Sequence, residues 1–226
     1  MSRPIAVYLE NADKRTFASA IDWPGWSRGG RSEAAALDAL ADGGPRYVAA
    51  LGELANALEP PGDGADFEIR ERVRGGAGTD FGVPSRSPSG DDRPVDDAEL
   101  TWLTAILRAA WSAFDAAATA AVGHELTKGP RGGGRELAKI QAHVLEAEWA
   151  YLGEIAGKYK APAHRSQDDV TADVRAAIVE TLAARVHGEH VPESKRTRPY
   201  WTPRYLVRRS AWHALDHAWE IEDRVI

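Results

Sequence analysis

Apolar and polar positions along this chain follow one rhythm up to about residue 75 and another after residue 96. Residues 5–10, IAVYLE, and 16–21, TFASAI, are apolar over strand lengths. NADKR between them supplies turn chemistry, so the pair predicts a β-hairpin. Pro24 and Gly25 then break the chain ahead of a short third strand. Ser32 suits the N-cap of a helix through the Ala- and Leu-rich run that follows, and the helical pattern resumes over residues 45–58. Residues 66–73, DFEIRERV, alternate again, with Phe67, Ile69 and Val73 spaced for one face of a strand.

Residues 75–95 are dominated by Gly, Pro, Ser and Asp, too poor in apolar groups to order themselves alone, and are expected to be a linker. Beyond them, four helical patterns occupy residues 97–123, 133–159, 168–188 and 202–225, separated by short polar or Gly/Pro breaks. The fold class expected is therefore a two-domain α+β chain. A small α+β domain covers residues 1–74, and an all-α four-helix bundle covers residues 96–226. No internal repeat is apparent.

Composition narrows the function. The 226 residues carry a formal net charge of −6, which argues against a surface built to neutralise nucleic-acid phosphates or anionic lipid. No run approaches the ~20 apolar residues of a membrane span, and the N-terminus lacks a signal-peptide pattern, so a cytoplasmic protein is expected. Cysteine is absent, which excludes disulfides, thiolate metal ligands and a cysteine nucleophile. Any metal must be held by His, Asp or Glu.

That restriction directs attention to the last helix, AWHALDHAWEIEDR, residues 211–224. Positions i and i+4 of an α-helix lie about 40° apart around the axis and roughly 6 Å along it, so His213 and His217 can point at one ion. An HxxxH pair alone is as easily a packing feature. His143, well inside the second helical pattern, offers a third imidazole if the two helices face one another. Three neutral nitrogens with an open position suit zinc, and nickel or iron also accept imidazole. His124, His164, His187 and His190 fall at helix ends or in loops and are read as surface groups.

The segments QAHVLEAEWAYL and AWHALDHAWEIEDR make residues 95–226 resemble the DinB-like superfamily, whose members carry one metal-binding His in the second helix and an HxxxH pair in the last. Residue by residue, the resemblance puts His143, His213 and His217 on the metal. It implies a divalent ion, often zinc or nickel, and in several branches S-transfer or isomerisation that uses mycothiol, bacillithiol or glutathione. Residues 5–73 resemble the HicB-like antitoxin fold through TFASAIDWPGW and the Ser-capped SEAAALDAL. Such antitoxins continue into a DNA-binding segment. Here the linker and bundle take its place, so a scaffold, a substrate lid or a dimer element is expected instead.

Further residues are placed around this centre. A thiol brought from outside carries carboxylates, and the stretch with Lys195, Arg196, Arg198, Arg204, Arg208 and Arg209 is locally basic. Arg209, one turn before His213, is the best candidate for an anion contact. Glu146 and Glu220, each three residues after a proposed ligand, can reach the ion or hydrogen-bond a ligand His. Asp216, Glu222 and Asp223 are read as a charged face or as partners of Arg224, and Trp212, Leu215 and Trp219 as a packing stripe that a homodimer could also use. The leading expectation is a metal-dependent enzyme acting on a small molecule with an external thiol. The rival is a non-catalytic interaction or scaffold protein with a structural metal.

Overall fold

A computed structural model describes residues 4–58, 66–128, 136–189 and 196–226. The first half forms a four-stranded mixed sheet from β1 (Ile5–Asn11), β2 (Thr16–Ala20), β3 (Ser27–Gly30) and β4 (Phe67–Arg74), in the order β3-β2-β1-β4. β1 and β2 make the expected hairpin, β3 extends it antiparallel, and β4 returns parallel to β1. A parallel return needs a long crossover. Helices α1 (Glu33–Asp42) and α2 (Gly44–Leu51) and a 3₁₀ turn, Gly52–Ala57, lie on the way to β4. Ser32 caps α1 by accepting from the Ala35 amide at 3.2 Å. The helix expected over 45–58 stops early, where Gly52 takes a positive φ of 56°. Trp26 anchors this half: it is 1% exposed, stacks on Tyr47 at 5.5 Å, and donates to the Leu40 carbonyl.

Residues 75–95 join the halves in sequence and also pack between them. They contain a short helix, α3 (Ala77–Phe81), and a 3₁₀ turn, Ser89–Asp92, and they bury Thr79 and Asp91. Their apolar content is as low as the sequence indicated, and polar contacts hold them instead. The fully buried Glu10 carboxylate of β1 accepts from Thr79 Oγ1 at 2.5 Å, from the Ser85 amide and hydroxyl at 2.9 and 3.0 Å, and from the Arg86 amide at 3.1 Å.

Four long helices follow: α4 (Asp97–Ala120), α5 (Leu137–Glu154), α6 (Gln167–Val186) and α7 (Pro203–Glu222). They match the predicted spans within a few residues and are mostly shorter at their C-termini. α5 ends because Ala156 enters the left-handed region at φ 70° and the Gly157 amide turns back to the Leu152 carbonyl. α4 packs on α7 and α6, and α5 on α6 and α7. The predicted start of the second pattern, residues 133–135, lies outside the described residues.

The halves share a core. Val7, Leu9, Trp26 and Tyr47 belong to the same buried cluster as Leu107, Ile140, Leu206 and Trp219. Arg208 of α7 fastens the seam by donating to Asp91 at 2.8 and 2.9 Å and to the carbonyls of Ala20 and Ile21 at 2.9 and 2.7 Å. At Gly25, φ is 95° and an added Cβ would lie 2.9 Å from the Ala211 side chain, so this turn requires glycine on two grounds. α7 thus lies directly beneath the sheet's turn.

Candidate metal centre

Thr202 caps α7 by accepting from the Tyr205 amide, and Pro203 opens the first turn without needing a donor. A regular helix follows, which sets His213 and His217 on one face. α5 faces it and supplies His143. The three ring centroids stand 5.2, 5.1 and 4.6 Å apart, and one ligand nitrogen from each ring falls within 4.8 Å of the others. Nitrogen ligands of a tetrahedral ion are about 3.3 Å apart, so the rings need to close by no more than about 1.5 Å to meet one. His213 is 6% exposed, and the His217 side chain 12%.

The surroundings suit a cation. His217 Nδ1 lies 2.7 Å from Glu220 Oε2, which fixes Nδ1 as the protonated nitrogen and leaves Nε2 as the electron-pair donor. Glu220 in turn accepts from Arg224 Nη1 at 2.5 Å, and Arg224 Nε donates to the Thr127 carbonyl at 2.8 Å. Hydrogen bonding from His217, aided by Arg224, holds the Glu220 carboxyl below the usual carboxylate range. Three imidazoles without thiolate or ligating carboxylate favour a borderline transition metal over magnesium or calcium. Among the described residues, the cluster has three members and no more.

The other expected site residues divide. Glu220 joins the centre as a partner of His217. Glu146 is exposed on α5 and is not brought to the triad, because the roll of α5 turns its side chain to the surface. Asp216 approaches Arg28, at 3.6 Å, and Glu222 and Asp223 bind Arg46, so it is Glu220 and not these acids that pairs with Arg224. Trp219 lies under the Arg28 guanidinium, 3.7 Å away, and Trp212 meets Phe17 edge-on, so both tryptophans pack α7 against the first half of the same chain. His124, His164 and His187 are exposed, and His187 pairs with Asp97. His190 and Lys195 lie outside the described residues.

The basic stretch is largely neutralised. Arg196 binds Glu154, Arg204 binds Glu99 and the Pro94 carbonyl, and Arg208 binds Asp91. Arg209 differs, with its guanidinium carbon 5.4 Å from the Tyr151 ring and 4.8 Å from the Trp212 ring. Tyr151 itself lies 5.8 Å from His213 and is a neighbour that the sequence reading missed. It follows His143 by eight residues, a spacing that stays within one broad buried stripe of a helix, and that is the signal that could have found it. Also missed was Glu148, 1% exposed, whose carboxyl is pushed up by burial while Arg175 binds it and Asp115.

The chain matches no protein-family model, no curated protein and no solved structure. Among the described residues no helix is long and apolar enough to cross a membrane.

Proposed function

We propose that this protein is a metal-dependent enzyme of the DinB-like kind, with His143, His213 and His217 holding one divalent ion, zinc foremost. The observation that carries this reading is the convergence of three imidazoles from two facing helices, one of them oriented by a carboxylate. Structural zinc sites usually take four protein ligands, whereas a catalytic site keeps a position open. A cluster of three members among the described residues is the number a catalytic centre uses, and on that ground catalysis is preferred to the rival reading of a scaffold with a structural metal. α4 to α7 would be the bundle of that superfamily, and the sheet half the HicB-like unit, acting as a wall of the site.

A bound ion would supply Lewis acidity to a water or to the thiol of a small cosubstrate. The chain's own part is to hold three imidazoles in place, to keep His217 in one tautomer through Glu220, and to shield the centre from bulk water. With no cysteine in the chain, the sulfur nucleophile of an S-transferase or isomerase must come from outside, as mycothiol or a related thiol does.

Metal analysis of untagged protein tests the centre. The expected result is about one zinc or nickel per chain, lost in the H143A/H213A/H217A variant. Stoichiometric metal surviving in that variant would overturn the site. Turnover with millimolar thiols and a panel of electrophiles tests the reaction class, and activity that needs no thiol would reject the thiol-dependent step.

A further inference from the structure

Arg209 presents a problem that its neighbours do not solve. Its Nη1 is buried and makes no hydrogen bond among the described residues, whereas the adjacent Arg208 is fully committed to Asp91 and two carbonyls. Leaving a buried charged donor unsatisfied is expensive, and each such group in a folded protein calls for an explanation. The Tyr151 and Trp212 rings beside it offer cation–π attraction but no acceptor for the N–H. What Nη1 lacks among the described residues is an acceptor.

The space next to it admits a single water-sized oxygen. Arg209 borders a narrow cleft at the seam, shared with Tyr8, Ser19 and Ser27 of the sheet half and with Arg86. Its interior of about 10 Å³ holds roughly one water molecule, so it admits the tip of a ligand and not its body. No carboxylate pairs with Arg86 or Arg209 among the described residues, while Asp91 neutralises the third guanidinium of the wall, Arg208. On its other flank Arg209 touches Tyr151, which touches His213. A ligand held at Arg209 is one helical turn, roughly 6 Å along α7, from a metal ligand.

We propose that Arg209, backed by Arg86, anchors a carboxylate of the small molecule handled at the histidine centre, and that Tyr151 lines the path between anchor and centre. The proposal rests on the metal-centre reading, and it gives the sheet half a part in the site, because the cleft closes only where sheet, residues 75–95 and α7 meet. A planar carboxylate matches the fork of a guanidinium, and one of its oxygens takes the room of the single water that the cleft admits.

The test titrates the cobalt-loaded full chain with 3-mercaptopropionate and with neutral 2-mercaptoethanol, following the visible spectrum. The charged thiol is expected to half-saturate the wild type at a concentration about tenfold lower or better. R209Q is expected to erase that advantage without moving the 2-mercaptoethanol midpoint, R209K to keep part of it, and R86Q to reduce it several-fold. Equal midpoints in the wild type, or an advantage that survives R209Q in protein with unchanged near-ultraviolet circular dichroism, would overturn the anchor. If R209Q does not fold, R209K and R86Q decide, and full retention of the advantage in both has the same meaning. Failure of the wild type to bind cobalt defeats the metal centre instead. Calorimetric titration of metal-free protein with propionate then decides the anchor separately: saturable binding lost in R209Q supports it, and no binding overturns it.

Discussion

Glu220 shows how a single side chain can set the candidate centre from outside the three imidazoles. Its carboxylate fixes the His217 tautomer and is itself fixed by Arg224. Replacing such a partner typically costs 10–100-fold in metal affinity. E220Q is therefore expected to bind zinc about 10–100-fold more weakly than wild type in a chelator competition, with unchanged far-ultraviolet circular dichroism. Undiminished affinity would remove Glu220 from the centre. At this scale the sequence was informative wherever chemistry follows helical spacing, as with His213 and His217. It failed where the outcome depends on which way a helix is rolled: Glu146 and Glu220 stand at the same offset from a histidine, yet only Glu220 reaches one.

Elements of the sheet half are joined by side chains that the hydrophobic pattern does not display. Glu33, in the first turn of α1, accepts from Asn11 of β1 at 2.7 Å and from Arg72 of β4 at 2.9 Å, tying three elements with one carboxylate. Hydrogen bonding from Arg72 and Asn11 holds its carboxyl below the usual range. A depressed folded pKa contributes stability that is present above the unfolded value, about 4.3, and is lost as pH falls through the folded value. The stability gap between wild type and E33Q, measured by urea unfolding, should thus be open at pH 7 and close below about pH 4. A gap independent of pH would mean that Glu33 acts through packing alone. Strand and helix identities were readable because each period survives in the sequence. The order of residues 75–95 was not, since Glu10 is a lone acid in an apolar strand and nothing local announces that Ser85 and Thr79 will meet it.

At the scale of the molecule, the shared core and the Arg208–Asp91 pair make the two halves mutually dependent. Removing one member of a buried ion pair strands the other, at a cost of about 3–5 kcal/mol. D91A is expected to lose about that much in denaturant unfolding, and to do so in a single transition seen equally by near- and far-ultraviolet signals. Two separated transitions would show that the halves fold independently, as the change in sequence pattern at residue 75 first suggested. That change records a switch of secondary structure, and burial across the seam cannot be seen in a pattern that describes each element alone.

The link from His217 through Glu220 and Arg224 to the Thr127 carbonyl runs along the final turn of α7, beside the short bridge between Leu126 and Val225. Helix ends are among the parts of a folded chain that open most readily. An ion held by three imidazoles but oriented from such an end would leave at a rate set by the opening of that turn. Metal exchange and amide exchange near Arg224 should then share one clock, and loosening the bridge between Leu126 and Val225 would change how long the ion stays before it changed how tightly the histidines bind.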